Sequence, residues 1–260
     1  MSALPPSPIF SDEKVGSYTH QVEPFHVDFK GRLTMGILGN HLLNCAGLHA
    51  TTRGFGIATL NEHHHTWVLS RLSIELTRPP MQYEHFTIQT WIENVYRLFT
   101  DRNFSITDEK GIPIGYARSV WAMIDVETRK PADLLSLHEG RIADYICDLP
   151  CPIEKHSRIK VDCTMVRSRL EPRYGDIDIN GHVNSVRYIE HILNLFPLSH
   201  YRNHFIQRFE IAYINECYFG EQILFHYTEI KQDEYFVELR KGDGTPICRS
   251  RIVFIETIAE

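Results

Sequence analysis

The chain has 260 residues, of which 43% are hydrophobic, and its formal net charge is −6. A chain of this length can bury a sizeable core, either as one large domain or as two small ones. The acidic balance disfavours a nucleic-acid-binding protein, because such proteins need a basic surface that meets the phosphate backbone.

The first residues, Met-Ser-Ala-Leu-Pro-Pro-Ser-Pro, lack the basic segment and apolar run of a signal peptide. No later stretch approaches the roughly 18 uninterrupted apolar residues of a membrane-spanning helix. We therefore expect a cytoplasmic protein with no membrane span and a flexible segment at residues 1–14. The cysteines are irregularly spaced and include no C-x-x-C pair, which predicts free thiols without a disulfide framework or a zinc site. They are Cys45, Cys147, Cys151, Cys163, Cys217 and Cys248.

Each half of the chain repeats one order of predicted elements: an extended run, a helix and several alternating strands. In the first half these include Tyr18–Val27, Leu33–Ala50 and Leu72–Leu76. In the second half they include Thr164–Leu170, Val183–Leu195 and Phe209–Tyr213. The repetition predicts two similar units.

The similarity extends to a predicted hairpin. Phe104–Ile114 and Val237–Ile247 each read as strand, turn and strand, and both turns contain Gly-x-Pro-Ile. The strands that follow keep the same spacing from these turns, with Val120-Trp121 in one half and Val253-Phe254 in the other. The chain therefore contains one hairpin twice.

A helix with a strongly apolar face must bury that face, and a curved antiparallel sheet wrapped around it is an economical solution. This α+β arrangement is the hot-dog architecture, here predicted as two tandem repeats whose sheets pair edge to edge. The segment Leu134–Lys160, which mixes prolines and charged residues, is the expected connector. We place the N-terminal repeat at 15–135, the linker at 136–160 and the C-terminal repeat at 161–260.

The densest polar cluster, Gly175–Ser185, immediately precedes the second predicted helix. Its Asp-x-Asp-x-Asn-Gly start matches a calcium-binding EF-hand loop, but Arg187 occupies the twelfth position, where that loop needs a bidentate Glu. A second interpretation is a turn whose oxygen atoms cap the helix. A third is a catalytic site, because Asp178, Asn180 and His182 alternate with apolar residues and can be directed to one side.

The cluster suits thioester hydrolysis. The start of a helix offers unpaired N–H groups and a positive dipole end to a developing oxyanion, and Asn180 can add a side-chain N–H. Asp178, His182 and one further carboxylate would supply a base or attacking group and a proton carrier.

Residues 176–189, Asp-Ile-Asp-Ile-Asn-Gly-His-Val-Asn-Ser-Val-Arg-Tyr-Ile, strongly resemble the active-site segment of the acyl-acyl carrier protein thioesterases of plants and bacteria. Gly54-Phe55-Gly56, Trp67–Arg71 and Arg118–Met123 resemble landmarks of that family's first half. Asn215-Glu216-Cys217 resembles its distal active-site element. The resemblance extends over nearly the whole chain.

The resemblance implies hydrolysis of fatty acyl-acyl carrier protein, which releases a free fatty acid and ends chain elongation, without a cofactor. The catalytic residues that it implies are Asp178, Asn180, His182 and Glu216, with Cys217 as an alternative nucleophile. We expect Glu216 or Asp178 to be the base or attacking carboxylate, and the sequence does not separate the two. His182 would carry the proton, and Asn180 with a helix-start amide would bind the oxyanion.

At the matching place the first repeat has Val27-Asp-Phe-Lys-Gly-Arg-Leu, which contains no histidine. We therefore expect one active site per chain and an N-terminal repeat that shapes the acyl pocket. A stripe of apolar helix residues is ordinary core by default, but in the family this helix borders the acyl tunnel. The candidate acyl-binding residues are Leu42, Leu43, Ala46 and Trp67.

His63-His64-His65 is interpreted as a solvated loop and not as a metal site, because adjacent residues of an extended segment point to opposite faces.

The segment between Glu154 and Arg173 is basic, although the whole chain is acidic. It borders the polar cluster, so it is a candidate docking surface for the acidic acyl carrier protein. Its candidate residues are Arg158, Lys160, Arg167, Arg169 and Arg173. An acyl-CoA thioesterase and a non-catalytic acyl-binding protein remain alternatives, and the sequence leaves open whether the chain forms a homodimer.

Overall fold

The computed structural model describes residues 14–161 and 165–257, apart from the side chains of residues 137–139. Most of the predicted flexible N-terminal segment, Cys163 and Thr164 lie outside the described residues. The strands are β1 (Val15–Gln21), β2 (His65–Leu76), β3 (His85–Val95), β4 (Phe99–Asp108), β5 (Pro113–Asp125), β6 (Ser168–Leu170), β7 (His204–Tyr213), β8 (Ile223–Lys231), β9 (Glu234–Lys241) and β10 (Pro246–Glu256). The α-helices are α1 (Met35–Thr51), α2 (Ile57–Glu62), α3 (Ser185–Leu193) and α4 (Leu198–Asn203). The 3₁₀ segments are Pro24–His26, Leu134–Tyr145 and Tyr174–Asp176.

These strands form a single antiparallel sheet of ten strands in the order β1-β3-β4-β5-β2-β7-β10-β9-β8-β6. The first five positions come from the N-terminal half and the last five from the C-terminal half. At the junction β2 pairs with β7, from Arg71 opposite Ala212 to Glu75 opposite Arg208. Both predicted hairpins are present, as β4–β5 and β9–β10. The prediction of an α+β protein with two tandem hot-dog repeats is confirmed.

Both long helices pack on one face of this sheet, in a shared core. Full burial of one such aliphatic side chain contributes about 1.5–3 kcal/mol. Helix α1 can approach α3 closely because Gly39 has no side chain, and a Cβ added there would lie 3.3 Å from Ile189 of α3. The fully buried members at the centre of the core include Leu38, Leu42, Leu72, Ile74, Ile189, Ile192, Phe209 and Ile211.

The linker crosses the other face of the sheet. Successive residues of a strand point to opposite faces of the sheet. Phe209 and Ile211 face the core, so Glu210 between them points away from the helices. The Glu210 carboxylate accepts hydrogen bonds from the backbone N–H and the hydroxyl of Ser157, at 2.6 and 2.9 Å. Arg118 of β5 donates to the carbonyl of Cys151 at 2.7 Å. Linker residues therefore bury polar side chains of β5 and β7 on the face away from the helices.

The long helices begin and end within two residues of their predicted bounds, whereas five other helical segments of the described residues were not predicted. They are α2, α4 and the three 3₁₀ segments, of which Leu134–Tyr145 occupies the start of the expected connector. Four of the five have six residues or fewer, too few for a periodic apolar pattern. In the part of the chain that the structure describes, no helix is both long and apolar enough to cross a bilayer.

Candidate active site

The polar cluster folds into a tight loop ahead of α3. The Asp178 N–H donates to the carbonyl of His182 at 2.8 Å, and the Gly181 N–H donates to the carbonyl of Asp178 at 3.0 Å. One Asp178 carboxylate oxygen accepts the N–H groups of Asn180 and His182, at 2.8 and 3.3 Å. Gly181 has a φ of +79°, which explains why glycine occupies this turn. The Asp178 carboxylate therefore fixes the backbone that carries Asn180 and His182.

The start of α3 leaves one amide unused. The N–H groups of Val183 and Asn184 donate to the carbonyls of Cys217 and Asp176. The Asn184 side chain caps the helix by accepting from the Val186 N–H at 2.9 Å. Among the described residues nothing accepts a hydrogen bond from the Ser185 N–H. This amide is the helix-start donor available to an oxyanion.

Glu216 reaches the loop through a cross-strand contact. His182 forms an antiparallel bridge with Tyr218, and this pairing places the Glu216 carboxylate 3.4 Å from His182 Nδ1. Both side chains are partly exposed, at 20% for His182 and 36% for Glu216. The structure thus brings the imidazole and the distal carboxylate together at an accessible surface, which acid–base chemistry needs.

Two residues that were not predicted also contact Glu216. Arg129 forms an ion pair with its carboxylate, and the Tyr218 hydroxyl lies 3.3 Å from the other carboxylate oxygen. Arg129 follows β5 in a turn in which its N–H donates to the carbonyl of Asp125 at 2.9 Å. No local pattern around Arg129 in the sequence signals this contact, because it depends on how β5 lies beside the second repeat.

A cavity of about 530 Å³ opens at these side chains. Its lining includes all four predicted catalytic residues, together with Ser185. The four are Asp178, Asn180, His182 and Glu216. The described residues contain no group of three or more His, Cys, Asp or Glu side chains that could hold a metal ion, and His63–His65 belong to no such group.

Cys217 lies in a different environment from its neighbour Glu216. Its side chain is fully buried and is not part of the cavity lining. Burial, together with the nearby carboxylate of Glu221, raises the pKa of the thiol to about 12. A thiol needs its thiolate form to attack, so this environment disfavours Cys217 as a nucleophile.

A second cavity, of about 380 Å³, extends into the N-terminal repeat. It shares Leu43, Trp67 and Trp121 with the first cavity, so the two spaces adjoin at these side chains. Ala46 lines the second cavity. Leu42 instead lies in the core between the sheet and the helices, because the next position along a helix points about 100° away. Trp121, which lines both cavities, was not among the predicted acyl-binding residues.

The five candidate docking residues do not form one compact group in the chain. Arg158 and Lys160 are exposed residues of the linker, which crosses the face of the sheet away from the helices. Arg169 is exposed in the edge strand β6, with Arg167 immediately before it. Arg173 is exposed just ahead of the loop, and its backbone N–H donates to Asp176 at 2.7 Å. Their role in docking stays a prediction.

Two family models match the chain and together cover most of it. Residues 13–137 match the acyl-ACP thioesterase N-terminal domain, and residues 159–256 match the acyl-ACP thioesterase C-terminal domain. The chain belongs to the acyl-ACP thioesterase family. The acyl-ACP thioesterase from Bacteroides thetaiotaomicron is 61% identical in sequence, with a TM-score of 0.90 over 94% of this chain and 100% of that one.

The plant members of the family are more distant. The oleoyl-acyl carrier protein thioesterase of Coriandrum sativum is 29% identical over 75% of this chain, and an acyl-[acyl-carrier-protein] hydrolase of Cuphea viscosissima is 26% identical over 94%. This chain spans 58% and 62% of their respective lengths. The 12:0-ACP thioesterase of Umbellularia californica is 21% identical with a TM-score of 0.79, which shows that the two share a fold.

Proposed function

We propose that this chain hydrolyses the thioester of fatty acyl-acyl carrier protein and releases a free fatty acid. The observation that carries the proposal is the contact between His182 and Glu216 in a cavity that adjoins a second, mainly apolar one. The first cavity would hold the thioester and the second the acyl chain. Family membership supports the same reaction.

In the proposed mechanism a water molecule attacks the thioester carbon and gives its proton to Glu216. The oxyanion that forms accepts hydrogen bonds from the Ser185 N–H and the Asn180 side chain, both of which line the cavity. When the intermediate collapses, the proton on Glu216 passes to Nδ1 of His182, 3.4 Å away, and His182 delivers a proton from Nε2 to the departing pantetheine sulfur. This transfer returns Glu216 to its carboxylate form and His182 to its neutral form. Asp178 holds the loop in place, because one of its carboxylate oxygens accepts the backbone N–H groups of Asn180 and His182.

The proposed docking surface for acyl carrier protein consists of Arg167, Arg169 and Arg173, which precede the catalytic loop. Exposed basic side chains there would attract the acidic carrier and orient its pantetheine arm toward the cavity. Arg158 and Lys160 are left out of this surface, because the linker that carries them buries polar side chains of the sheet's other face.

The test compares carrier and CoA thioesters of the same acyl chain. We expect Arg169→Glu with Arg173→Glu to raise KM for the carrier-bound substrate several-fold and to leave hydrolysis of the CoA ester nearly unchanged. A matched control, Arg158→Glu with Arg202→Glu, makes the same charge change at exposed positions of the linker and α4. Equal damage to the carrier substrate by both pairs would show a general effect of charge and would contradict docking at β6.

The alternative activity on acyl-CoA predicts the opposite outcome in the same assay. An acyl-CoA thioesterase would hydrolyse the CoA ester at least as well as the carrier ester, and the charge reversals would affect both equally. A non-catalytic binder would hydrolyse neither. The cytoplasmic location stays a prediction.

A further inference from the structure

The acyl cavity of the N-terminal repeat contains a buried arginine. Arg102 of β4 lines this cavity and is only 4% exposed. It lies on the same face of β4 as Phe104 and Ile106, which are fully buried in the core, because residues two apart in a strand share a face. A cation therefore occupies a position where the strand pattern calls for an apolar side chain.

No described carboxylate neutralises this cation. Arg102 forms one hydrogen bond within the described residues, from Nη1 to the hydroxyl of Thr90 at 3.2 Å, and no ion pair. Burial, together with the positive charge of Arg53, lowers the pKa of the guanidinium to about 9. The group therefore remains protonated at neutral pH, and most of its five N–H donors meet no acceptor among the described residues. Removing such a charge from water is costly unless an acceptor replaces the water.

Other polar groups in this region also lack partners. The hydroxyl of Tyr18 and Nδ1 of His49 are buried without a hydrogen-bond partner among the described residues. Tyr18 is close enough to Arg102 for the guanidinium charge to lower the pKa of its hydroxyl, against the larger effect of burial. In contrast, most of the cavity wall is apolar and includes Ala46, Phe55, Trp67, Ile92 and Trp121. Tyr18 and His49 do not themselves line the cavity, whose mainly apolar wall contains the buried cation of Arg102.

We propose that Arg102 binds an oxygen atom carried by the acyl chain itself, such as a hydroxyl or carboxylate remote from the thioester. The inference rests on the proposed function, since it assigns the second cavity to the acyl chain. A guanidinium can only donate, so its ligand must be an acceptor, and an unsubstituted hydrocarbon chain offers none. Arg102 would therefore be a specificity residue that favours oxygenated acyl chains over plain ones.

The test measures kcat/KM for pairs of acyl carrier protein thioesters from octanoyl to hexadecanoyl, with and without a terminal hydroxyl or carboxyl group. At the chain length that fits the cavity, we expect the wild type to prefer the oxygenated member about tenfold or more, as sites built around a hydrogen bond commonly do. Arg102→Met should remove or reverse this preference. Arg102→Lys should retain part of it, because an ammonium also donates.

A second measurement is independent of turnover. Free fatty acids with a terminal hydroxyl group should raise the Tm of the wild type more than unsubstituted acids of equal length, and Arg102→Met should abolish the difference. The Tm of unliganded Arg102→Met should not fall, because replacing an unpaired buried charge by an apolar side chain of similar length removes a desolvation cost. This control separates loss of recognition from loss of folding.

The two measurements distinguish failure of the inference from failure of the proposed function. Hydrolysis of plain chains at least as fast as oxygenated ones at every length, unchanged by Arg102→Met, would overturn the inference and leave the thioesterase function intact. Arg102-dependent binding of oxygenated acids without hydrolysis of any thioester would support the polar site and overturn the function.

Discussion

The loop ahead of α1 and the loop ahead of α3 have the same backbone but different chemistry. In the first loop the Asp28 carboxylate accepts the N–H groups of Lys30 and Arg32, at 2.8 and 3.1 Å, as Asp178 accepts those of Asn180 and His182. In both loops a glycine at the turn has a positive φ of between 70° and 80°, at Gly31 and Gly181. The loop conformation therefore needs the Asp and the Gly, and it does not need a catalytic residue.

What differs is the side chain that each loop presents. The strand pairing places Arg32 where the second loop has His182, and Pro79 where the second half has Glu216. Arg32 pairs with Asp28 at 2.7 Å and donates to the carbonyls of His204 and Tyr201, at 2.8 and 3.0 Å. A cavity of about 560 Å³ lies beside this loop as well. One loop thus binds the two halves together, and the other carries the acid–base pair.

The two loops also indicate which carboxylate, Asp178 or Glu216, acts as the base. Asp28 makes the loop hydrogen bonds of Asp178, although its loop has Arg32 in place of His182 and the facing segment has Pro79 in place of Glu216. Those bonds are therefore a structural requirement of the loop in both halves. Glu216 has no such counterpart in the first half and contacts His182 directly, which favours Glu216 as the base.

The largest expected effect concerns the residue that most distinguishes the two loops. His182→Gln should lower kcat about 1,000-fold, within the range that general acid–base catalysis contributes. The Tm should change little, because the loop hydrogen bonds of His182 come from its backbone. Steady-state hydrolysis of an acyl carrier protein thioester, with thermal unfolding as the control, checks this. Near-normal turnover by a folded variant would remove His182 from the mechanism.

The corresponding change in the first loop should act on stability. Arg32→Met leaves Asp28 without its cation and two carbonyls of the second half without their donor, which should cost about 2 kcal/mol of unfolding free energy. Hydrolysis by the folded fraction should stay within a few-fold of wild type. Urea unfolding and the hydrolysis assay measure the two effects. A stable but inactive Arg32→Met variant would show that the first loop takes part in the chemistry.

A smaller effect is expected on the preferred length of the acyl chain. Ala46→Leu fills part of the N-terminal cavity, and each excluded methylene should cost about 0.8 kcal/mol, or roughly fourfold in relative rate. The preference should move toward shorter chains. Leu42→Met is the matched control, because Leu42 lies in the core on the same helix. An unchanged profile in Ala46→Leu would place the acyl chain elsewhere.

The smallest effect is expected at Cys217, which is buried beside the cavity and has a raised pKa. Cys217→Ala should keep activity within a few-fold of wild type, with a modest loss of stability from the missing buried sulfur. Mass spectrometry of the wild type during turnover should show no acyl-cysteine. A trapped acyl group on Cys217, together with an inactive but folded alanine variant, would make the thiol the nucleophile.

The sequence predicted well what depends on local pattern. Apolar periodicity located α1 and α3, and the repeated Gly-x-Pro-Ile turns located the two long hairpins. The alternation of Asp178, Asn180 and His182 with apolar residues identified the loop that lines the cavity. These signals are local because a helix face, a turn and a loop are each set by a few consecutive residues.

The sequence could not predict what depends on the register between distant strands. Glu216 was assigned through the family resemblance alone, since its contact with His182 follows from the pairing of His182 with Tyr218. Neither the type nor the spacing of the residues around Arg129 predicts its ion pair with Glu216. The same holds for Arg102, whose place in the cavity wall the sequence does not indicate. Leu42 and Leu43 could not be separated, because both match an apolar helix.

The central claim is that Glu216 is the base and that Asp178 acts by holding the loop. The most direct measurement is kcat for Asp178→Asn beside Glu216→Gln, both of which replace a carboxylate by an amide of the same shape. An Asn oxygen still accepts the two backbone N–H groups, so Asp178→Asn should keep kcat within about tenfold, whereas Glu216→Gln should lose about 100-fold or more. The reverse order, with Asp178→Asn inactive and Glu216→Gln active in folded proteins, would contradict the account.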